Sequence, residues 1–414
     1  MDAIVDRCAA LDVHKDTVMA CVRVPDGKGG RAQHVREFRT FTAGLRALRN
    51  WLAEHGATQV AMEATGVYWK PVWHVLEAEA AWELLLVNAQ HVKNLPGRKT
   101  DVADAVWLCQ LLECGLLRGS FIPPKPIAQL RDLTRYRKKL VEERTRETQR
   151  IQKLLEDAGI KLDSVVSDVL GKSARAMLEA LIVGERDVFV LAELAQTRMR
   201  PKIGDLRLAL EGGFEDHHAM LLRMHLDHVD SLTGSVERLD AAVDQLMLPF
   251  IRQRDRLMTI PGIGKRTAEV VIAEIGVDMS RFPTAGHLAS WAGMCPGNHE
   301  SAGKRKSGKA RKGDAALRTA LTEAAWTTAR TRTYPGSQYR RLCRRFGKKA
   351  EAKAAFAVGH TLLVIIWHVL HDQTDYRELG PDYLDTRNDS KQRERYLVRQ
   401  LQALGHKVTL DPAA

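Results

Sequence analysis

The pattern of apolar and polar residues predicts a mixed α/β region in the first 120 residues. Short apolar runs bounded by turn-forming residues are typical of strands, whereas leucines recurring every three or four residues are typical of helices. By these criteria the predicted elements are strand Cys8–Val13, strand Thr17–Val24, strand Gln33–Phe41, a helix through Leu45, Leu48 and Leu52, strand Gln59–Glu63, helix Val67–Ala78, strand Leu84–Val87 and a helix after Thr100.

The pattern changes after the segment FIPPKP at residues 121–126, which breaks regular structure and predicts a linker. The following stretch, Ile127–Lys161, is long, charged and helical, with leucines 133, 140 and 154 in one heptad phase and Glu147 where a fourth apolar residue is expected. A second seam runs through Leu232, Val236, Leu239, Val243 and Leu246. The two seams favour an antiparallel stalk or a dimerisation element, and a solvated charged face is the equally supported alternative.

These elements predict four segments. Residues 1–120 form an α/β domain whose order of three strands, then helix–strand–helix–strand–helix, is that of an RNase H-like mixed sheet. Residues 127–250 form a helical, coiled-coil linker, and residues 251–370 form a mainly α-helical C-terminal domain. Residues 371–414 form a polar tail with one helix pattern, which we expect to pack on the surface.

The net charge of the chain indicates what kind of partner it binds. The 414 residues include 63 Lys and Arg against 51 Asp and Glu, a formal net charge of +12. An excess of this size indicates a polyanionic partner, most often a nucleic acid. The six cysteines are scattered without a CxxC pair, which argues against a disulfide scaffold or zinc ribbon and fits a reducing cytosol. Acidic and basic residues interrupt the N-terminus, and histidines divide the apolar run Phe356–Leu370, so we expect a cytoplasmic protein with no membrane span.

Four carboxylates are candidates for one metal site. Asp12 and Glu63 each end an apolar strand, and Asp101 and Asp104 lie one helical turn apart at the start of a helix. If the two strands are neighbours, the acids meet at one sheet edge, where divalent metal would neutralise their mutual repulsion. Such oxygen-rich sites suit Mg²⁺ or Mn²⁺ and phosphodiester chemistry. Taken singly, each acid is better explained structurally, Asp12 as a turn residue and Asp101 as a helix cap, although Glu63 at the end of a buried strand is the hardest to explain in this way.

Two further motifs suggest phosphate contacts. The segment LMTIPGIGKRTA at residues 257–268 resembles the hairpin of a helix–hairpin–helix motif, with Lys265 and Arg266 beside a helix N-terminus, and a plain turn between helices is the alternative. By contrast, His225 and His228 form an HxxH pattern on a predicted helix without a Glu or Cys at zinc-site spacing, which favours an exposed helical face.

The second phosphate-binding candidate is a basic loop rich in glycine and serine. From Ser301 to Arg318 there are seven Lys or Arg residues and one acid, and the loop cations are Lys304, Arg305, Lys306, Lys309, Arg311 and Lys312. Nearby cations would stabilise a serine alkoxide and the transition state of phosphoryl transfer. Chemistry alone favours a DNA-binding loop whose serines form hydrogen bonds, and it does not choose between Ser301 and Ser307 as a nucleophile.

Four segments together resemble a known family: LDVHK at 11–15, MEATGVYW at 62–69, KTDVADA at 99–105 and ESAGKR at 300–305. They are similar to the DEDD transposases of the IS110 insertion-sequence family, relatives of the Piv invertase. The resemblance implies a RuvC-like N-terminal domain, a coiled-coil linker and a C-terminal transposase domain. It also implies that Asp12, Glu63, Asp101 and Asp104 hold magnesium, and that Ser301 rather than Ser307 forms a transient phosphoserine link to a cut strand.

The same resemblance implies partners. In such recombinases the acidic site of one subunit works beside the serine of another within a dimer or tetramer, and a structured bridge RNA selects donor and target DNA by base pairing. We therefore expect an RNA-guided, metal-dependent site-specific DNA recombinase. The alternatives are a nuclease resembling Holliday-junction resolvases, which hydrolyses DNA without a covalent intermediate, and a non-catalytic nucleic-acid-binding protein.

Overall fold

The chain divides into two compact units, Met1–Ile122 and Pro123–Ala414. The structure, a computed structural model, describes residues 4–64, 66–78, 82–87, 101–297, 299–301, 303–347, 351–386 and 390–410. The division falls inside the proline-containing segment at residues 121–126. The finer division of the second unit into linker, C-terminal domain and tail stays a prediction.

The N-terminal unit contains a five-stranded mixed sheet with helices, as the sequence predicts. Its described elements are β1 (Cys8–Val13), β2 (Thr17–Pro25), β3 (Arg31–Arg39), α1 (Thr42–Glu54), β4 (Gln59–Glu63), α2 (Trp69–Glu77), β5 (Glu83–Val87) and α3 (Asp101–Glu113). The strand order is β3-β2-β1-β4-β5. Short turns make β1, β2 and β3 antiparallel, whereas β4 pairs in parallel with both β1 and β5.

Each face of this sheet buries its own set of side chains. Because successive strand residues point to opposite faces, Leu11 and Met62 join the helices α1 and α2 in one core cluster. On the other face Cys8, Ala10 and Ala61 pack against α3. These small side chains leave room for α3 to lie close on the sheet, and the Sγ atoms of Cys8 and Cys109 are 3.7 Å apart.

A buried ion cluster fixes the direction of α3. Glu113, at the C-terminal end of this helix, is 6% exposed and pairs with Arg23 at 2.7 Å and with Arg31. The backbone N–H of Ile4 donates to the Glu113 carbonyl at 2.9 Å. The C-terminal end of α3 therefore lies beside the start of β1, and its N-terminal end points toward the end of β1.

The described part of the second unit is largely helical. Its helices are α4 (Lys125–Asp157), α5 (Leu162–Val165), α6 (Lys172–Ile182), α7 (Val188–Glu193), α8 (Ile203–Ala209), α9 (Asp216–Met247), α10 (Ile251–Met258), α11 (Lys265–Ile275), α12 (Ala285–Trp291), α13 (Ala315–Thr328), α14 (Tyr334–Phe346), α15 (Glu351–His371), α16 (Tyr383–Thr386) and α17 (Ser390–Ala403). A short hairpin of β6 (His299–Ser301) and β7 (Lys304–Ser307) lies between α12 and α13.

The long helices α4 and α9 pack as an antiparallel pair. Arg137, early in α4, binds Asp240 late in α9, whereas Glu147 farther along α4 binds His225 near the start of α9. The predicted seam is partly wrong: Leu133 and Leu154 are only half-buried, and beyond Glu147 the buried positions are Ile151 and Leu155. A straight helix has 3.6 residues per turn, so its apolar stripe drifts away from a strict seven-residue repeat.

The helix α15 contains the apolar run Phe356–Leu370, for which the sequence predicts no membrane span. It is long and apolar enough to cross a membrane by length and composition. Most of its apolar residues are covered by neighbouring helices, and the Trp367 indole N–H donates to the Phe282 carbonyl at 2.9 Å. This packing is that of a core helix.

Candidate active site

Two of the four predicted acids lie side by side at one edge of the sheet. The parallel pairing of β1 with β4 aligns Leu11 with Met62, so Asp12 and Glu63 are the next positions on adjacent strands. Because side chains alternate along a strand, Asp12 lies on the same face as Cys8 and Ala10, and Glu63 lies on the same face as Ala61, which is the face that α3 covers. Adjacent strands are about 4.8 Å apart, which brings the two carboxylates into one neighbourhood.

The start of α3 reaches the same edge. The contact between Cys8 and Cys109 fixes the two elements relative to each other. Asp12 is four residues, or about 13 Å, farther along β1 than Cys8. Asp101 is eight residues, or about 12 Å, before Cys109 along α3. Because the two elements run in opposite directions, the first turn of α3 is level with the end of β1. Asp104 in that turn is exposed, and the side chain of Asp101 lies outside the described part.

The donor chemistry of this acidic edge suits a hard divalent cation. Asp12 is 15% exposed, and its Oδ2 lies 3.1 Å from the Nε2 of His14, which is half exposed. The described carboxylates of Asp12, Glu63 and Asp104 do not form a set with ligand atoms within 4.8 Å of one another, and the described side chains that do are Asp157, His217 and His218 in the other unit. The acidic edge thus supplies the oxygen ligands that Mg²⁺ prefers, without a closed shell.

The predicted serine loop forms the β6–β7 hairpin. In its register Ser301 pairs with Lys304 next to the turn, and His299 pairs with Ser307 at the open end. Gly303, in the turn, has a φ of +72°, which favours glycine. The side chains of Ser301, Arg305, Lys306 and Ser307 lie outside the described part. The other loop cations, Lys304, Lys309, Arg311 and Lys312, are exposed.

Glycines bring two segments that flank this hairpin into backbone contact: a first stem at residues 292–297 and a second stem at residues 309–313. A Cβ atom on Gly313 would lie 2.3 Å from the Ala292 carbonyl oxygen and 2.4 Å from the Gly293 nitrogen. A Cβ on Gly297 would lie 2.2 Å from the Lys309 carbonyl oxygen. Because no side chain fits between these stems, their separation is fixed by the backbones themselves.

A buried ion network anchors the end of the second stem. Asp314 caps α13 by accepting from the Leu317 N–H at 2.8 Å, and it also accepts from Arg135 of α4 at 2.8 Å. Arg135 makes two further hydrogen bonds of 2.8 Å to Glu274, whose side chain is fully buried. Burial raises the pKa of Glu274, while hydrogen bonding from Arg135 opposes that shift. The network ties the hairpin to α4 and α11.

The glycine turn at residues 261–264 connects the helices α10 and α11. A turn between two helices is common to both interpretations of this motif. Gly262 has a φ of +86°, and a Cβ there would lie 2.6 Å from the Ala324 carbonyl oxygen, so the turn packs directly on α13. The two cations of the motif have acidic partners within the chain: Lys265 binds Asp244 at 2.7 Å, and Arg266 binds Asp240 at 2.8 Å. A phosphate would compete with these carboxylates.

The Arg135–Glu274–Asp314 network and the surroundings of Glu147 were not found by sequence reasoning. No spacing signal links α4 to residues about 140 positions away, so the network was not detectable. For the surroundings of Glu147 the sequence does contain a signal: the HxxH pattern of His225 and His228, together with the position of Glu147 in the heptad seam.

Comparison with known families identifies two matching segments. A family model described as transposase, for the DEDD domain of IS110 elements, matches residues 9–160. A second model, described as transposase of the IS116/IS110/IS902 family, matches residues 254–340. The first contains all four predicted acids, and the second contains the glycine turn and the serine hairpin.

Individual relatives agree with these matches. The pilin gene-inverting protein of Moraxella bovis is 32% identical over 157 residues, covering 36% of this chain and 48% of that protein. An uncharacterized protein of insertion element IS110 from Streptomyces coelicolor is 31% identical over 30% of each chain. A putative transposase of Sinorhizobium fredii is 25% identical over 78% of this chain and 75% of that protein. The matched segment spans about half the length of the pilin gene-inverting proteins.

Proposed function

The chain belongs to the IS110 family of transposases, and on that premise we propose that it is a DNA recombinase of an insertion sequence. It cuts and rejoins DNA with a metal-dependent acidic site and a serine nucleophile. The N-terminal unit acts as a RuvC-like, RNase H-like domain, and the C-terminal unit carries the transposase segment with the serine hairpin.

One observation carries this proposal. Asp12 and Glu63 occupy adjacent positions on two parallel strands, on the face covered by the helix that begins at Asp101. Neighbouring negative charges repel each other, and a bound divalent cation would offset that repulsion. The shared face of the two acids therefore supports a metal site.

The proposed division of labour assigns each residue one task. Asp12, Glu63, Asp101 and Asp104 would hold Mg²⁺, and the bound ion would neutralise charge at the scissile phosphate. The Ser301 hydroxyl attacks phosphorus, so that an Oγ–P bond forms as the bond to the leaving strand oxygen breaks. Exposed loop cations, Lys304, Lys309, Arg311 and Lys312, hold the flanking phosphates, as do Arg305 and Lys306. A hydroxyl of the new strand then attacks the same phosphorus, so that the new strand bond forms as the Oγ–P bond breaks and the Ser301 oxygen takes up a proton.

Trapping of the covalent intermediate tests the nucleophile. Labelled duplex carrying the sequence that flanks the gene is incubated with the full chain and Mg²⁺, and denaturing gels report protein–DNA adducts. We expect an adduct for the parent and for Ser307→Ala, and none for Ser301→Ala. Nicked free DNA that persists in Ser301→Ala would favour the resolvase-like nuclease instead.

Substitution of the acidic edge tests the metal site. Glu63→Gln removes a proposed ligand, whereas Glu54→Gln removes an exposed acid of α1 in the same unit. We expect Glu63→Gln to abolish strand cleavage and Glu54→Gln to retain it, with cleavage lost on chelation of Mg²⁺. Equal activity of both variants would support a non-catalytic nucleic-acid-binding protein.

Mixing of inactive variants tests the shared site. We propose that the acidic edge of one subunit serves the serine of another, within a dimer or tetramer. Ser301→Ala and Glu63→Gln chains, each inactive alone, should then recover cleavage when mixed. Sequencing of the RNA that copurifies with the chain tests the proposed bridge RNA: one structured species with segments complementary to donor and target DNA is expected, and a random population would contradict it.

A further inference from the structure

The positive charge of the chain is concentrated in one segment. Residues 301–350 contain 15 Lys or Arg residues and two acids, whereas the rest of the chain is nearly neutral. Both of those acids already bind cations of α4: Asp314 pairs with Arg135 at 2.8 Å, and Glu323 pairs with Lys138 at 2.8 Å. So dense an excess of positive charge attracts a polyanion.

Four exposed arginines of this segment have no acidic partner in the described part of the chain. Arg330 follows α13, and Arg341, Arg344 and Arg345 belong to α14; no ion pair of the described residues includes any of them. The cations of the glycine turn differ, because each of them already binds a carboxylate. A phosphate can therefore bind these arginines without displacing an internal partner.

One face of α13 continues the surface of the serine hairpin. Arg318, Thr322 and Trp326 are spaced four residues apart and so share a face of this helix. The Arg318 guanidinium lies 3.5 Å from the carbonyl oxygen of Arg311, in the second stem of the hairpin. The opposite face is buried, and the turn at Gly262 packs against it. Trp326 therefore lies about 12 Å along the outer face from Arg318.

The indole of Trp326 presents an open ring face at this position. This residue is 47% exposed, and the described residues place neither a second ring nor a cation over it. Phe189 is also exposed, but the guanidinium of Arg207 covers its ring at 4.6 Å. Burial raises the pKa of the Tyr339 hydroxyl, and hydrogen bonding from the Trp326 indole opposes that shift. Because Tyr339 belongs to α14, this contact holds the indole by its edge and brings the basic helix beside it.

We propose that Trp326 stacks on an unpaired nucleobase of a strand whose phosphates bind Arg330 and the arginines of α14. An aromatic ring can stack on any base, because every base has a π-face, but a base inside a duplex does not expose that face. The arginines near the ring supply the electrostatic part of such a site. The inference rests on the proposed function for the source of the strand, since cutting and rejoining of DNA exposes unpaired ends.

Fluorescence anisotropy of the full chain tests this proposal. Labelled oligothymidine, oligouridine and a duplex are each titrated with protein in EDTA at constant salt, so that no strand is cut. We expect Trp326→Ala to weaken single-strand binding about 5-fold to about 150-fold and duplex binding by less than about twofold, because stacking on one base is lost. A loss confined to oligothymidine assigns the base to DNA, and a loss confined to oligouridine assigns it to RNA.

Two further variants of Trp326 separate the ring from the fold. Trp326→Phe keeps a ring and should restore most of the single-strand affinity. Trp326→Leu keeps an apolar side chain without a ring and should behave as Trp326→Ala does, so a folding failure of the alanine variant leaves the test intact. Tyr136→Ala is the matched control: Tyr136 is an exposed aromatic of α4 whose neighbours Arg135 and Arg137 are bound to acids, and its loss should not change binding.

The salt dependence separates the indole from the arginines. Trp326→Ala removes no charge and should leave the slope of log affinity against log salt concentration unchanged. Arg330→Gln should make that slope shallower by about 0.7 for single strands.

Several outcomes would overturn the proposal. They are single-strand affinity of Trp326→Ala within about twofold of the parent, an equal loss for single strands and duplex, the same loss in Tyr136→Ala, or an unchanged slope in Arg330→Gln. An acidic protein partner on the arginines predicts the first of these. Because the assay needs neither Mg²⁺ nor Ser301, base stacking without a Ser301–DNA adduct would contradict the proposed function alone. An adduct with unchanged strand affinity in Trp326→Ala would contradict this inference alone.

Discussion

Substitution of Gly313 by alanine should displace the serine hairpin without unfolding the chain. The added Cβ would lie 2.3 Å from the Ala292 carbonyl oxygen, whereas ordinary contact begins at 3.4 Å. The obstructing atoms are backbone atoms, so the two stems must separate by about 1 Å. Overpacking of this kind costs about 1 to 3 kcal/mol. A 1 Å misplacement of a reacting group can reduce a rate about a hundredfold.

Two assays separate these effects. Denaturant unfolding of the full chain should show a loss of about 1 to 3 kcal/mol, and the yield of the Ser301–DNA adduct should fall about a hundredfold. Nucleic-acid affinity should change little, because the exposed loop cations keep their charge.

Gly234 provides the matched control. It lies inside α9 with open space around its Cα, where an added Cβ would meet only the end of the Arg238 side chain at 4.0 Å. Gly234→Ala should therefore stabilise the chain by about 1 kcal/mol, since glycine is a poor helix former. Parental stability and adduct yield in Gly313→Ala would contradict this prediction, as would a loss of stability in Gly234→Ala as large as that in Gly313→Ala.

Three further substitutions probe the ion pairs. Glu274→Gln leaves Arg135 without its buried partner and should lower the free energy of unfolding by about 3 kcal/mol. This value is at the low end for buried pairs because Arg135 is 45% exposed. A loss under about 1 kcal/mol in denaturant unfolding would contradict the prediction. Asp244→Asn removes the carboxylate that pairs with Lys265. If Lys265 contacts a phosphate of the nucleic acid, the slope of log nucleic-acid affinity against log salt concentration should steepen by about 0.9. An unchanged slope would exclude the contact. Burial acts to raise the pKa of Glu179, but hydrogen bonds from two arginines outweigh it and lower the pKa. Its stabilising contribution is present above about pH 4.3 and lost as pH falls further, so Glu179→Gln should flatten the acid limb of a stability–pH profile.

The N-terminal sheet was predictable because its signals are local. Apolar runs and turn residues specified the strands from β1 to β5, and the order of elements indicated a mixed sheet. The meeting of Asp12 and Glu63 was predicted only on the condition that β1 and β4 are neighbours, and the strand pairing meets that condition. Once the two strands pair, the alternation of side chains puts both acids on one face.

The helical unit was less predictable because its specificity comes from contacts distant in sequence. The heptad pattern indicated a seam on each of α4 and α9 and left an antiparallel pair as one of several interpretations. It assigned Leu154 to the seam instead of Leu155, because small departures from a 3.5-residue repeat move the apolar stripe. Glu147 was noted as an irregularity, and only the register of the two helices reveals that His225 and His228 face it. The partners of Lys265 and Arg266 were hidden for the same reason.

The order of elements along the chain has a consequence during synthesis. Every part of the acidic edge is complete by Glu113, whereas Ser301 follows 188 residues later. At about 5 to 20 residues per second, a ribosome needs about 10 to 40 s to cover that interval. The helix α4 likewise waits for α9 to emerge before it can pack. A nascent chain thus contains the acidic edge, the proposed metal site, well before it contains the Ser301 hydroxyl that is proposed to attack DNA.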